Sequence, residues 1–162
     1  MADLDKTTLA EDMSFLLARA SAISVSAANA ALAPLGLRAR SYSVLTVVAD
    51  GARPTQRDLA DFLRLDPSQV VAIVDDLEGR GLVQRVPDPA DRRAKIVVCT
   101  SDGAALQSRA AQYARAAERA THALLSEQER PGVIALLREL AFPSPMSRES
   151  GDANSATMHV ER

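Results

Sequence analysis

Apolar residues return at alternating steps of four and three along residues 7–33, at Leu9, Met13, Leu16, Ala20, Ile23, Ala27 and Ala30. That spacing predicts one long helix with a narrow apolar seam, a surface that wants a second helix against it. Pro34 and Gly36 end the pattern, and Tyr42 to Ala49 then predicts a short apolar helix closed by Asp50 and Gly51. Thr55-Gln56-Arg57-Asp58 has the form of a capping box. It opens a short helix with Leu59, Phe62 and Leu63 on one face, ending near Leu65. Asp66 as N-cap, Pro67 at the first helical position and Gln69 three residues after the cap start another helix.

Two short helices meeting across a turn of about three residues have helix-turn-helix spacing. In the second, Val70, Ile73, Val74 and Leu77 form the apolar stripe, so Ser68, Ala72, Asp75 and Gly79 face the other way, flanked by Gln69, Val71 and Asp76. Gly79-Arg80-Gly81 ends that helix. Leu82 to Val86 and Lys95 to Cys99 are β-like runs around a polar turn, Pro87 to Arg93, that holds two prolines. Helix, helix and hairpin in this order make the winged form of the motif. Thr100-Ser101-Asp102-Gly103 opens a long helix with a second seam at Leu106, Ala110, Tyr113, Ala117, Ala120 and Leu124. Ser126 to Glu129 forms another capping box, ahead of a helix carrying Val133, Leu137 and Leu140. Pro131 lies past the first turn of that helix if the box is its cap, so the helix starts later or bends. The fold class expected is mainly α with a small β-hairpin wing. Residues 1–37 and 101–142 supply helices for dimerisation, 38–100 form the winged helix-turn-helix, and 143–162 form a polar, disordered tail.

Charge is distributed unevenly along the chain. The 162-residue chain has a formal net charge of −2, a poor overall match for a polyanion. Across residues 80–95, however, Arg80, Arg85, Arg92, Arg93 and Lys95 outweigh Asp88 and Asp91, giving a local charge of +3. No uncharged, wholly apolar run reaches the roughly 18 residues of a membrane span, and the acidic N-terminus is unlike a secretory leader, so the default compartment is the cytoplasm. Cys99 is the only cysteine and the histidines are His122 and His159, which leaves neither a disulfide nor a metal site or cofactor to expect. Cys99 ends an apolar strand, where a packed thiol is expected and an oxidation sensor is the alternative. With no glycine-rich phosphate loop and no nucleophile beside a base, an enzyme is set aside.

The segment Leu77 to Gly103, LEGRGLVQRVPDPADRRAKIVVCTSDG, resembles the MarR (multiple antibiotic resistance regulator) family through its leucine-glutamate pair, its Gly-Leu step, its DRR wing and its threonine-capped helix. A weaker similarity runs over roughly residues 8–141. The resemblance implies a homodimer in which the helix matching 67–79 enters the major groove and the wing touches the minor groove. It also implies a small, often aromatic or phenolic effector bound between the dimerisation helices and the DNA-binding lobe. No residue in the sequence identifies that effector.

DNA contacts are expected from Arg93 and Arg92 at the wing tip, where arginine suits the negative potential of a narrow minor groove. Asp91 is expected to stabilise the tip through an Asx-type bond or a charge pair. On the recognition helix, Ser68 suits a base edge or phosphate, Gln69 suits adenine, and Val71 and Ala72 suit thymine methyl groups. Gln69 has a rival role in the helix cap. Asp75 and Asp76 depart from the basic or polar residues common there in the family and should repel phosphates. Arg38, Arg40, Arg53 and Arg57 are candidate phosphate anchors, with ordinary surface charge as the alternative. The function expected is a sequence-specific, ligand-responsive repressor on a pseudo-palindromic operator; the alternative is a winged-helix interaction module that does not bind DNA.

Overall fold

A computed structural model describes residues 4–91 and 93–143 of the chain. Residues 144–162, with His159 and almost all of the expected tail, lie outside them. The described chain divides into two compact units at Thr121/His122. The division differs from boundaries at 37/38 and 100/101, because α1 (Met13–Leu32) and α5 (Ser101–Thr121) are in the same unit as the winged motif.

In the first unit a 3-10 turn at Leu4–Lys6 precedes the predicted helical run, which itself begins as a second 3-10 turn, Thr8–Glu11, before α1 starts. Asp12 sets the start, its carboxylate accepting the Phe15 N–H at 2.7 Å and satisfying one of the free amides of the first turn. A 3-10 turn at Ala33–Leu35 and Gly36 at φ +65° then redirect the chain into α2 (Ala39–Ala49). That helix begins three residues earlier than Tyr42. Asn29 on α1 accepts the Ala39 N–H at 2.8 Å and Ser41 accepts the Arg38 N–H at 2.9 Å, so the first turn is capped from outside its own apolar pattern.

The Thr55–Asp58 box is present at the head of α3 (Gln56–Leu63): the Thr55 N–H donates to the Asp58 carboxylate at 2.8 Å, and the Asp58 N–H to the Thr55 hydroxyl at 3.2 Å. The helix stops at Leu63 rather than Leu65, because Arg64 takes the left-handed conformation at φ +52°. Phe62 is also displaced from its expected face. Leu59 and Ala60 are buried, while Phe62 is 56% exposed. The shift follows from helix geometry: with Leu59 and Ala60 anchoring the helix, Leu63 comes round to the same side as the four-residue neighbour of Leu59, and Phe62 falls on its edge.

After α4 (Pro67–Gly79), β1 (Val83–Pro87) and β2 (Lys95–Cys99) pair antiparallel, from Val83 opposite Cys99 to Pro87 opposite Lys95. A bridge from Thr55 to Ile96 and a bond from the Val97 N–H to the Pro54 carbonyl (2.8 Å) fasten the wing to the head of α3. Leu32, Leu37, Val44, Leu45, Leu59, Val70, Val74, Leu77, Val83 and Val97 are all but inaccessible to water and form one core with Ala110 of α5. The second seam is therefore partly spent inside the chain. Leu106, Ala110 and Ala114 pack on this core, and α5 lies against α1 and α2.

By length and mean hydropathy alone (1.4), Met13–Leu35 is a candidate membrane span, although polar residues interrupt its apolar run. Its contacts give it another role. Leu32 is buried and Ala28 packs in the winged core, and Asn29 caps α2, so this helix is a structural member of the unit.

The second unit holds α6 (Arg130–Ala141). Ser126 and Glu129 make the expected box, with Ser126 N–H to Glu129 carboxylate at 2.9 Å and Glu129 N–H to Ser126 hydroxyl at 3.3 Å. The box closes the turn before the helix. Pro131 thus falls in the first helical turn, where a missing N–H costs no bond. His122 follows the end of α5 rather than lying within it.

Candidate nucleic-acid interface

On α4 the buried edge is Val70, Val74 and Leu77, which leaves Ser68, Gln69, Val71, Ala72, Asp75 and Asp76 on the exposed side. Asp66 caps its N-terminus as expected, but the residue that completes the cap is Ser68. Both the backbone N–H of Ser68 (2.8 Å) and its hydroxyl donate to the Asp66 carboxylate, while Gln69 contributes only its backbone N–H, to the Asp66 carbonyl (3.0 Å). Ser68, not Gln69, therefore supplies the side chain that completes this cap. A serine one residue closer to the cap reaches the carboxylate with a shorter side chain.

These bonds hold the Asp66 carboxyl below the usual carboxylate range, the Ser68 hydroxyl contributing most and its N–H next. Asp58 is lowered in the same way by the Thr55 hydroxyl and N–H. A carboxylate lowered on folding stabilises the fold above its ordinary pKa, and that contribution fades as pH falls through the lowered value. Both caps of the helix-turn-helix therefore loosen only in acid.

At the wing tip, Asp88 accepts the Ala90 N–H at 2.8 Å and Asp91 accepts the Arg93 N–H at 3.0 Å. These two Asx-type bonds, with the Asp88 N–H to Ala94 carbonyl bond at 3.0 Å, tie together the described residues of the tip. Arg93 is exposed there. Arg92 lies outside the described residues. Arg57 is exposed on the first turn of α3, 3.9 Å from Asp61, and Arg53 is exposed in the preceding loop. Arg38 and Arg40 are elsewhere: they line a cleft of about 710 Å3 with Val25, Asn29, Gln69, Ala72, Ile73 and Asp76. The structure thus brings Arg40, Gln69 and Ala72 together, and sets Arg93 apart on the hairpin.

Two arginines were not among the sequence candidates. Arg85 on β1 donates from its guanidinium to Asp75 and Glu78 on α4 and to Gln56 on α3 (2.7 Å), and its backbone N–H donates to Glu78 at 2.8 Å. These bonds from the Arg85 N–H and guanidinium, in that order, lower the Glu78 pKa. Arg80 pairs with Asp76 (3.3 Å) and also donates to the carbonyls of Gly36 (2.8 Å) and Leu35 (3.2 Å). A signal for Arg85 was available. It sits two positions after buried Val83 and opposite buried Val97, an inward register position where a cation needs carboxylates nearby. Cys99 is half-buried, its thiol 3.3 Å from the Thr100 carbonyl, and burial pushes its pKa up, away from a reactive thiolate.

Residues 35–94 match the family model described as MarR family. A MarR-family transcriptional regulator from Rhodococcus sp. RHA1 has a crystal structure similar to this chain at TM-score 0.79 and 37% identity, covering 86% of this chain and 100% of that one. CouR from Rhodococcus jostii RHA1, bound to p-coumaroyl-CoA, is similar at TM-score 0.76 and 39% identity, over 86% of this chain and 98% of that one. A structure of the repressor CouR on a 23-mer DNA duplex is similar at TM-score 0.76 and 29% identity, over 86% and 99% of the two chains. The transcriptional repressor NicR of Pseudomonas putida is 33% identical over 99 residues, 61% of this chain and 63% of NicR. The chain spans about three fifths of the length of the curated relatives it matches first. A winged helix-turn-helix set between α1 and α5, matched in fold and sequence over nearly the whole length of solved relatives, makes this chain a member of the MarR family.

Proposed function

We propose that the protein is a ligand-responsive transcriptional repressor that binds a pseudo-palindromic operator as a homodimer. The observation that carries this reading is the pairing of an exposed recognition face on α4, with Gln69, Val71 and Ala72, and an exposed Arg93 on a wing tip held by two Asx-type bonds. A preordered tip loses little conformational entropy on binding, so its arginine contributes most of its contact energy to affinity. CouR on DNA and the repressor NicR, similar in fold or sequence, support the same reading.

Residues 38–100 read the duplex. Arg93 and Arg92 enter the minor groove, Gln69, Val71 and Ala72 face base edges, and Arg57 and Arg53 anchor phosphates. Ser68 spends its hydroxyl proton on the Asp66 cap and can offer the groove only acceptor lone pairs. Residues 1–37 and 101–142 hold the two copies together. Leu9, Met13, Leu16, Leu17 and Ile23 stay exposed along the N-terminal segment, an apolar strip that a second copy would cover. The protein acts in the cytoplasm with the chromosome and catalyses no covalent step.

The effector reading falls on the cleft of about 710 Å3 between α1, α2 and α4, which is large enough for a drug-sized molecule. Val25, Ala72 and Ile73 offer an apolar wall, and Arg38 and Arg40 offer cations to an acid or a phosphate. CouR with p-coumaroyl-CoA supports an aromatic acid or its thioester as the ligand class. Amide resonances of Ala72 and Ile73 should shift when such a ligand is titrated; shifts confined to other elements would move the effector elsewhere.

Arg93→Ala should weaken operator binding by roughly 1–3 kcal/mol and lower the salt slope by about one, with folding unchanged. Fluorescence anisotropy over a salt series measures both. An unchanged affinity would remove the wing from the mechanism.

A further inference from the structure

The helix that the proposed function sets against DNA carries no positive charge of its own. Along α4, PSQVVAIVDDLEG, the ionisable residues are Asp75, Asp76 and Glu78, three carboxylates and no base. A bare surface of that kind would be repelled by the phosphates on either side of a groove. All three carboxylates are engaged, however, and by only two side chains. Arg85, on the first strand of the wing, reaches Asp75 and Glu78 together, and Arg80, just past the helix end, holds Asp76.

The two arginines differ in what else they hold. Arg80 spends its remaining donors on the carbonyls of Leu35 and Gly36 and is about one-third exposed. Arg85 is 17% exposed, and its Nε is bonded to Gln56 at the head of α3, so its guanidinium plane is fixed from three sides. A fork held in that way dictates where the Asp75 carboxylate points: toward the wing strand, although the residue itself is on the exposed side of α4.

We propose that Arg85 is a positioning residue that draws the Asp75 carboxylate of the recognition helix away from the DNA phosphates, so that an acidic helix can enter the groove. The inference rests on the reading of α4 as the groove helix and goes beyond it. It assigns to a residue that touches no DNA a share of operator affinity, delivered through a second side chain. It also ties the wing to the recognition helix, since the strand carrying Arg85 leads directly to the tip.

The test is a double-mutant cycle with Arg85→Gln and Asp75→Asn, using the intact protein and the duplex that wild type selects most strongly from a random-sequence pool. Arg85→Gln frees two carboxylates and should lower affinity roughly tenfold at moderate salt, with a loss that shrinks as salt rises. Asp75→Asn in the wild-type background should change affinity less than about twofold, since that charge is already turned away. In the Arg85→Gln background the same substitution should recover most of the loss. Unfolding midpoints of all four proteins separate a folding defect from a binding one.

Equal effects of Asp75→Asn in both backgrounds would overturn the inference, because the carboxylate would then act without regard to Arg85. A loss in Arg85→Gln that Asp75→Asn leaves unrepaired would overturn it as well, leaving Arg85 a purely structural tie. Wild-type protein that selects no duplex at all would sink the proposed function and this inference together, whereas the first two outcomes sink only the inference.

Discussion

Gly103→Ala is expected to destabilise the protein by at least about 3 kcal/mol, the upper range for forcing extra volume into a packed site. A Cβ built on Gly103 would stand 2.0 Å from the Leu82 carbonyl oxygen and 2.9 Å from the Cys99 sulfur. The first distance is to backbone, which cannot rotate aside. Relief requires α5 to move away from the base of the wing, and that movement breaks a joint held by Thr100. The Thr100 hydroxyl donates to the Gly81 carbonyl at 2.7 Å and accepts the Gly103 N–H at 3.0 Å, and the Thr100 N–H donates to the Leu82 carbonyl at 3.1 Å. Replacing a helical glycine by alanine returns up to about 1 kcal/mol of helix propensity, too little to offset the clash. Urea unfolding measures the change. A variant within about 1 kcal/mol of wild type would mean that α5 and the strand base do not pack this closely.

Ile23→Glu, or Leu16→Glu, should convert the dimer to monomer and lower operator affinity by about 100-fold or more, because two linked heads gain roughly 10² to 10⁴ over one. Ile23 is 50% and Leu16 46% exposed in a single chain, so a glutamate at either site meets water in the monomer and costs little there. In a two-fold dimer each substitution appears twice, and each copy takes an unpaired carboxylate out of water. Sedimentation and anisotropy on the same samples should move together. Deleting residues 1–33 is a less informative experiment, since it also removes Leu32 from the buried core and the Asn29 cap from α2. A dimeric Ile23→Glu protein with full affinity would take α1 out of the interface.

Much of this architecture is legible from the sequence because local chemistry and burial agree. The Thr55–Asp58 box, the Asp66–Pro67 helix start and the Val70, Val74, Leu77 stripe each have a local cause and appear where that cause puts them. The Asx-type bond at Asp91 is local too. What the sequence hides depends on contacts across the chain. The early start of α2 comes from Asn29, ten residues away, and the pairing of Asp75 comes from Arg85 on another element. The acidic end of α4 thus looked hostile to DNA while its neutralising cations were invisible to a helical-periodicity argument. The Asp66 cap of α4 is met by Ser68 rather than Gln69, because the serine N–H and hydroxyl both reach its carboxylate. The second seam, on α5, was divided for a similar reason: Leu106 and Ala110 pack inside the chain, whereas Tyr113 stays exposed.

If two identical heads read one duplex at a fixed separation, affinity must depend on the spacing of the half-sites. Inserting about five base pairs between them turns one half-site to the opposite face of the helix without altering a base that either head touches. Affinity for the altered duplex should fall to that of a single half-site, and insertion of about ten base pairs should fail to restore it fully unless the dimer can stretch. Equal affinity for the original and the half-turn duplex, measured by anisotropy at one salt concentration, would contradict a two-headed repressor.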